Sequence, residues 1–523
     1  MNQRTVFVVG VLALAGVALA LRLPQLDLRP MHVDEAVHAY KLNALWETGR
    51  YEYDLNEYHG PTLYYFTLPA VWLSSARDFA QLQAPTLRIV PVVFGVALIL
   101  LLLLVADGLG RPATLCAAAL TAISPALAYY SRYYIQEMVL VFFTFLVIAA
   151  GWRYVQTRRL GWALLAGAGI GLLHATKETC VIALGCMLVA LVVTVRWCRR
   201  STAGHRRFPV SHIGAALLVA IVVSAVLFSG FFTNLRGPLN SVRAFGTYFQ
   251  RAGSNGVHEH AWTYYLHILT LSQAGAGPIW SEGLIVALCV VGLITAIRSR
   301  GIAGVQTPLL RFFALYTILM TVVYSAIPYK TPWCVLGVLQ GMTLLGGVGA
   351  VTLVRVIRRP AAQAVVAVVL LAAGVQLAWQ AQRANSFKYC ANERNPYVYA
   401  HTLHSVVELA DQLDRLAAIQ PQGHHLLIKV MVDNCWPLPW YLRRFDQVGY
   451  WEHVPDDPDA DVILASSKLQ PEIEPRLKCT YQVSQRGLRR DERLAVYIEQ
   501  SLWDTFIQHL RSTDTTSRST RHD

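Results

Sequence analysis

Apolar and polar positions alternate along this chain in long blocks. Eleven apolar runs cover residues 6–21, 86–105, 113–129, 138–154, 161–173, 179–195, 213–231, 283–297, 312–327, 335–354 and 362–379. A hydrocarbon core about 30 Å thick requires roughly 20 such residues per helix. The pattern therefore predicts an α-helical polytopic membrane protein with about eleven transmembrane helices. Arginines punctuate it: Arg111 follows the second run and Arg158 and Arg159 the fourth. Arg196, Arg199, Arg200, Arg206 and Arg207 follow the sixth, Arg298 and Arg300 the eighth, and Arg355, Arg358 and Arg359 the tenth. Short Arg-rich loops mark the cytoplasmic side. One orientation satisfies all five, with a cytoplasmic N-terminus. The acidic first loop, the Glu137 and Lys177 turns, the long loop 233–276 and everything after residue 379 then lie outside.

After residue 379 the pattern changes. Residues 396–416 have helical amphipathic spacing, and residues 425–432, 462–465 and 493–499 read as strands. A soluble extracytoplasmic α/β domain is expected over 380–511, with Asp433 and Asn434 after its first strand, where α/β sites tend to sit. The Ser/Thr/Arg-rich tail 512–523 is expected to be disordered.

Composition narrows the class. Hydrophobic residues make up 54% of the chain and charged ones 15%, against about 25% charged in soluble domains. The formal net charge of +13 does not point to nucleic acid, because the basic residues cluster in loops between apolar runs. Residues 1–21 read as a retained first helix rather than a cleaved signal. The nine cysteines contain no CxxC pair, which argues against a cysteine zinc site. At most one disulfide is available among Cys390, Cys435 and Cys479 of the polar part.

Chemistry concentrates in the first loop, MHVDEAVHAYKLNALWETGRYEYDLNEYHGPTLYYF from Met31 to Phe66. It holds Asp34, Glu35, Glu47, Glu52, Asp54, Glu57, His32, His38 and His59 among aromatics. Polar groups at a membrane surface are costly unless solvated, paired or used. Acids at the start of a helix also suit its dipole, so Asp34 and Glu35 have a purely structural reading as well. Later outer turns add Arg132, Glu137, Lys177, Glu178 and Lys330.

An acidic pair, a helix, a Thr48-Gly49 turn and Tyr58-His59-Gly60-Pro61-Thr62-Leu63-Tyr64-Tyr65 resemble the first outer loop of GT-C glycosyltransferases. The similarity is to the protein O-mannosyltransferases and lipid A aminoarabinose transferases. It extends to a bacterial and archaeal branch labelled flippase-activity-associated, whose HVDE, HGP and YKTPW strings this chain carries. The resemblance implies a GT-C transmembrane domain over 1–379, with residues 22–85 as its first outer loop. It implies an enzyme of the cell membrane that moves a sugar from a polyprenyl-phosphate donor to a glycan, lipid or protein acceptor outside the cytoplasm.

The resemblance also implies roles. Asp34 matches the catalytic base, and Glu35 a supporting hydrogen-bond or metal partner. Glu137 matches the acid of the second outer loop. Its Arg132 lies one residue further away than in the R-x-x-x-[DE] string. Lys177 matches the lysine that approaches the lipid phosphate, with Glu178 beside it as a neutralising neighbour. His59 stands where relatives often have lysine. Lys330 is a second phosphate candidate and Trp333 a sugar-stacking or interfacial residue. A divalent metal ion held by Glu35 with His258 or His260 is the one cofactor implied. Asp34, Glu137, Lys177 and Lys330 are expected to share a cavity. Two alternatives remain: a lipid-linked glycan flippase component, or a non-catalytic membrane scaffold for glycan assembly. A transporter favours polar or broken helices at mid-membrane, whereas the acids here gather at loop positions.

Overall fold

The computed structural model of the protein describes residues 2–55, 59–199, 209–252, 258–298 and 304–519. Glu57, Arg200, Arg206, Arg207, Arg300 and residues 520–523 lie outside them. Eight described helices are long and apolar enough to cross a membrane: Gln3–Arg22, Ala84–Leu109, Glu137–Thr157, Cys180–Cys198, Val210–Phe228, Thr307–Ala326, Pro332–Val356 and Pro360–Ala384. Three shorter apolar helices, Arg111–Ile123, Leu160–His174 and Gly283–Arg298, fill the remaining expected positions. The protein is a multi-pass membrane protein. The eleven runs are all helical, but three are shorter than a span needs; Arg111–Ile123, for one, is set off by Gly110 before it and by Ser124 and Pro125 after it.

The chain forms two compact units. The first comprises 1–26, 41–74 and 85–399; the second comprises 27–40, 75–84 and 400–523. The expected boundary at 380 thus moves to 400, and two pieces of the first loop join the C-terminal residues. The shift has a local cause. The last long helix runs to Ala384, and the segment after it is tied into the first unit. Tyr129 donates to the Cys390 carbonyl at 2.7 Å, Tyr130 to the Tyr397 carbonyl at 2.6 Å and the Trp280 indole to the Arg394 carbonyl at 2.6 Å.

Helices in the first unit approach closely at small residues. A Cβ on Gly349 would lie 1.9 Å from the Leu288 carbonyl oxygen, so Gly283–Arg298 and Leu336–Val356 touch backbone to backbone. Where lipid removes the hydrophobic drive for association, such close packing holds helices together.

The second unit has a five-stranded sheet in the order β2-β1-β3-β5-β4. The strands are β1 Ile428–Met431, β2 Val448–Trp451, β3 Val462–Ser466, β4 Tyr481–Arg489 and β5 Glu492–Glu499. β1 pairs in parallel with β2 and β3; β5 is antiparallel to β3 and β4. Alternate residues face opposite sides of a strand. One face (Ile428, Val430, Leu464, Val496) packs with Leu409 and Leu413 of helix His404–Ile419 and with Leu502 and Phe506. The other presents Met431, Ile463, Ala465 and Tyr497. β1, β3 and β5 match the predicted strands. β2 and β4 were not expected; they are the edges, and their partly exposed residues blur the apolar signal. The helix expected from residue 396 begins at His404. Helix Gln500–Ser519 runs through most of the expected disordered tail, propagating from a first turn docked by Leu502 and Phe506. All nine cysteines are free thiols.

Candidate active site

Two adjacent acids begin helix Val33–Thr48, and the structure gives them different work. Glu35 is wholly buried. Its Oε1 accepts from the Arg29 guanidinium at 2.8 Å and its Oε2 from the backbone N–H of His32 at 3.0 Å. The His32 ring completes the cap, its Nδ1 accepting the Asp34 backbone N–H at 3.1 Å. This is a reciprocal capping box with histidine in the place usually taken by serine or threonine. The helix start is therefore satisfied without the Asp34 carboxylate. That side chain is 40% exposed, and its Oδ2 lies 3.9 Å from His32 Nδ1. That nitrogen is already engaged by the Asp34 backbone N–H. The structural reading of the acidic pair holds for Glu35, and Asp34 is the acid left open.

His32 also packs edge-on against His401, with ring centroids 5.5 Å apart. His401 is held well below the usual imidazole range by burial, then by His32 and Arg29.

In the first unit, residues 59–62 of the first loop lie against the turn between helices Leu160–His174 and Cys180–Arg199. Gly60 N–H donates to the Thr176 carbonyl at 3.2 Å and Thr62 N–H to the Ala175 carbonyl at 3.1 Å. A Cβ on Gly60 would sit 2.2 Å from the Ala175 oxygen, so this approach needs glycine. The contact delivers His59 to Glu178: Nδ1 is 2.7 Å from Oε2, while the Tyr53 hydroxyl donates to Oε1 at 2.6 Å. Burial raises the Glu178 carboxyl, but His59 and the two hydrogen bonds outweigh it and hold the group below its ordinary range. Tyr248 approaches the same nitrogen, its hydroxyl 3.2 Å from His59 Nδ1.

Lys177 turns away from Glu178. Its ammonium is ion-paired with Glu137, both side chains buried. Burial depresses the lysine, but Glu137 wins and holds it above its ordinary value. Glu137 is the first residue of its helix, where the dipole favours a negative charge. The expected neutralisation of Lys177 by its sequence neighbour is thus corrected. Adjacent residues leave a helix end in different directions, and each found a partner on another segment.

The remaining candidates are placed less openly. The Lys330 ammonium donates to the carbonyls of Ile327 and His260, and its backbone N–H donates to the His258 carbonyl at 2.9 Å. Its described contacts make it a clasp between two loops. Burial lowers its pKa. Arg132 donates to the Gln25 carbonyl at 2.7 Å, at the end of the first helix. Trp333 is buried beside Tyr130, Tyr133 and Tyr399. That position corrects the expectation of a sugar-stacking or interfacial ring.

A metal set does not form from the implied residues. His258 Nδ1 is 2.5 Å from the Tyr399 hydroxyl, His260 stacks on Tyr264 at 4.2 Å, and Glu35 is committed to Arg29 and the helix cap. Glu35 also belongs to the other compact unit. Among the described residues no group of three His, Cys, Asp or Glu side chains is arranged for a metal ion.

Sequence reasoning missed Glu282. It is fully buried, and its Oε1 accepts from Ser124 Oγ at 3.0 Å, Ala126 N–H at 2.8 Å and Tyr397 at 3.3 Å. Its Oε2 has no partner among the described residues. Burial pushes its carboxyl up to about 7. The only sequence signal was a lone acid next to an apolar run.

With this geometry in hand, similarity to known proteins becomes informative. Residues 13–235 match the family model of dolichyl-phosphate-mannose-protein mannosyltransferase. No curated protein matches the chain. Among solved structures, ArnT from Cupriavidus metallidurans bound to undecaprenyl phosphate aligns over 94% of this chain and 98% of its own, at 16% identity and a TM-score of 0.63. The chain has the GT-C fold. The same ArnT in the apo state aligns with a TM-score of 0.60 at 16% identity, over 94% of this chain and 98% of its own. The Saccharomyces cerevisiae Pmt1-Pmt2 protein O-mannosyltransferase complex bound to the sugar donor aligns over 52% of this chain and 39% of its own. Its identity is 15% and its TM-score 0.33. The ArnT alignments extend the likeness in fold well beyond residues 13–235.

Proposed function

We propose that the protein transfers a sugar from a polyprenyl-phosphate donor to an acceptor on the extracytoplasmic face of the membrane. The observation that carries this reading is the division of labour between Asp34 and Glu35. A capping box that consumes one acid and leaves the other open is what a base at a helix N-terminus needs. Support comes from the family-model match and from the fold of ArnT, one of whose structures holds undecaprenyl phosphate. The arginine pattern supports the orientation, with the N-terminus cytoplasmic.

The chemistry follows from the groups available. An acceptor hydroxyl attacks the anomeric carbon while the Asp34 carboxylate takes its proton. The bond from that carbon to the phosphate oxygen breaks, and polyprenyl phosphate leaves with its negative charge. Lys177 offers that charge its remaining N–H donors, because one of the three is used by Glu137. His59, fixed by Glu178, is the second phosphate-side group. Glu137 keeps Lys177 charged in a buried place. Arg132, Lys330 and His258 tie loops of the first unit together. A flippase component or scaffold has no use for an open base beside a closed cap, so those readings rank below transfer.

The test is direct. Purified protein in vesicles is given polyprenyl-phosphate sugars with candidate acceptors, and release of polyprenyl phosphate is measured. Release that depends on acceptor supports transfer. Movement of intact donor between leaflets without release supports the flippase reading instead.

A further inference from the structure

Helix Gly237–Ala252, with the turn residues Leu235 and Arg236 just before it, presents an unpartnered face that is both apolar and basic. Leu235, Leu239 and Val242 follow one another at intervals of four and three residues, each more than half exposed. Arg236 and Arg243 stand exposed among them, and neither guanidinium has an acidic partner among the described residues. The chain contains no acidic residue between Glu178 and Glu259.

The opposite face is committed. Ser241 and Ala244 are buried, Phe245 stacks on His174 with centroids 5.7 Å apart, and Tyr248 reaches His59. Exposed leucine and valine on one stripe with arginines along it describe a helix lying in the plane of a bilayer surface.

Its place in the chain selects the occupant. The helix begins nine residues after the apolar helix Val210–Phe228, few of whose residues are buried, as befits a lipid-facing helix. It is packed onto the end of that helix: a Cβ on Gly237 would lie 1.9 Å from the Phe228 oxygen. The connecting turn sends Phe231 and Phe232 outward from left-handed backbone. The stripe therefore continues a lipid-facing surface. Two arginines unopposed by acid match phosphate-bearing headgroups of net negative charge.

We propose that helix Gly237–Ala252, together with the turn before it, is an in-plane membrane anchor that selects anionic phospholipid through Arg236 and Arg243. Its inner side supplies Tyr248 to the His59–Glu178 group. The anchor rests on the protein being a membrane protein, not on the transfer chemistry, so its test needs no turnover.

A photoreactive benzoylphenylalanine is placed at Val242 of the full chain, or at Glu472 in the sheet unit as a control. The protein is reconstituted in phosphatidylcholine vesicles, with or without phosphatidylglycerol, irradiated and read by mass spectrometry. Lipid adducts are expected at 242 and not at 472, with phosphatidylglycerol enriched several-fold over its share of the vesicle. The Arg236→Gln/Arg243→Gln pair should keep the adduct and lose the enrichment, while Arg236→Lys/Arg243→Lys should keep both. Absence of lipid adducts at 242 overturns the anchor. Enrichment unchanged in the glutamine pair overturns the headgroup selection.

Discussion

Lys177 and Glu137 form a buried ion pair that joins the turn before helix Cys180–Arg199 to the first residue of helix Glu137–Thr157. Removing one partner of such a pair strands the other, at a cost of about 3–5 kcal/mol. Replacing both with apolar groups of similar size is often neutral.

This pair separates stability from donor binding. Lys177→Ala should lower the melting temperature and raise the donor KM about tenfold or more, leaving the acceptor KM near its starting value. Lys177→Met with Glu137→Leu should restore the melting temperature while the donor KM stays high. Recovery of both in the double variant would reduce the lysine to a structural role.

His32 offers a test of the cap that frees Asp34. His32→Ala removes the acceptor for the Asp34 N–H and should lower kcat by about tenfold, with a cap-sized loss of roughly 1 kcal/mol in stability. His32→Asn supplies a side-chain oxygen at the same place and should recover most of kcat. A kcat indifferent to both changes would show that the cap does not position the base.

Glu178 predicts a pH dependence. Its folded pKa is depressed, so its stabilisation is present above the unfolded carboxylate pKa and lost as pH falls through the folded one. Glu178→Gln should therefore cost stability at neutral pH, and the difference from the parent should shrink below about pH 4. Thermal melts across that range read it; a difference that grows on acidification would contradict it.

Glu282 predicts the opposite slope. Its folded pKa is raised to about 7, so the folded state favours the neutral acid. The stabilisation is complete below the unfolded value and is lost as pH rises through about 7. The change is roughly 3 kcal/mol. Glu282→Gln cannot ionise and should flatten the fall in melting temperature between about pH 5 and pH 8. An unchanged fall would mean that other groups produce it.

Much of this is legible in the sequence alone. Apolar runs as long as a bilayer is thick give the helices, and Asp34 and Glu35 stand out because acids are rare beside such runs. Strands β1, β3 and β5 were visible because buried strands are uniformly apolar, while the edge strands β2 and β4 were hidden by their exposure. Pairings were the part that sequence could not supply. Lys177 meets Glu137 forty positions away instead of Glu178 beside it, and Glu178 meets His59 only because Gly60 lets two backbones touch. The buried Glu282 depends on three segments that converge from residues 124–126, 282 and 397.

The most direct measurement compares the parent protein with Asp34→Asn in one transfer assay, alongside binding of the polyprenyl-phosphate donor. A general base contributes about 10²–10⁴-fold. The predicted result is a loss of that order in kcat for Asp34→Asn, with donor affinity and melting temperature close to those of the parent. Transfer at the parent's rate by a folded Asp34→Asn protein would contradict Asp34 as the base.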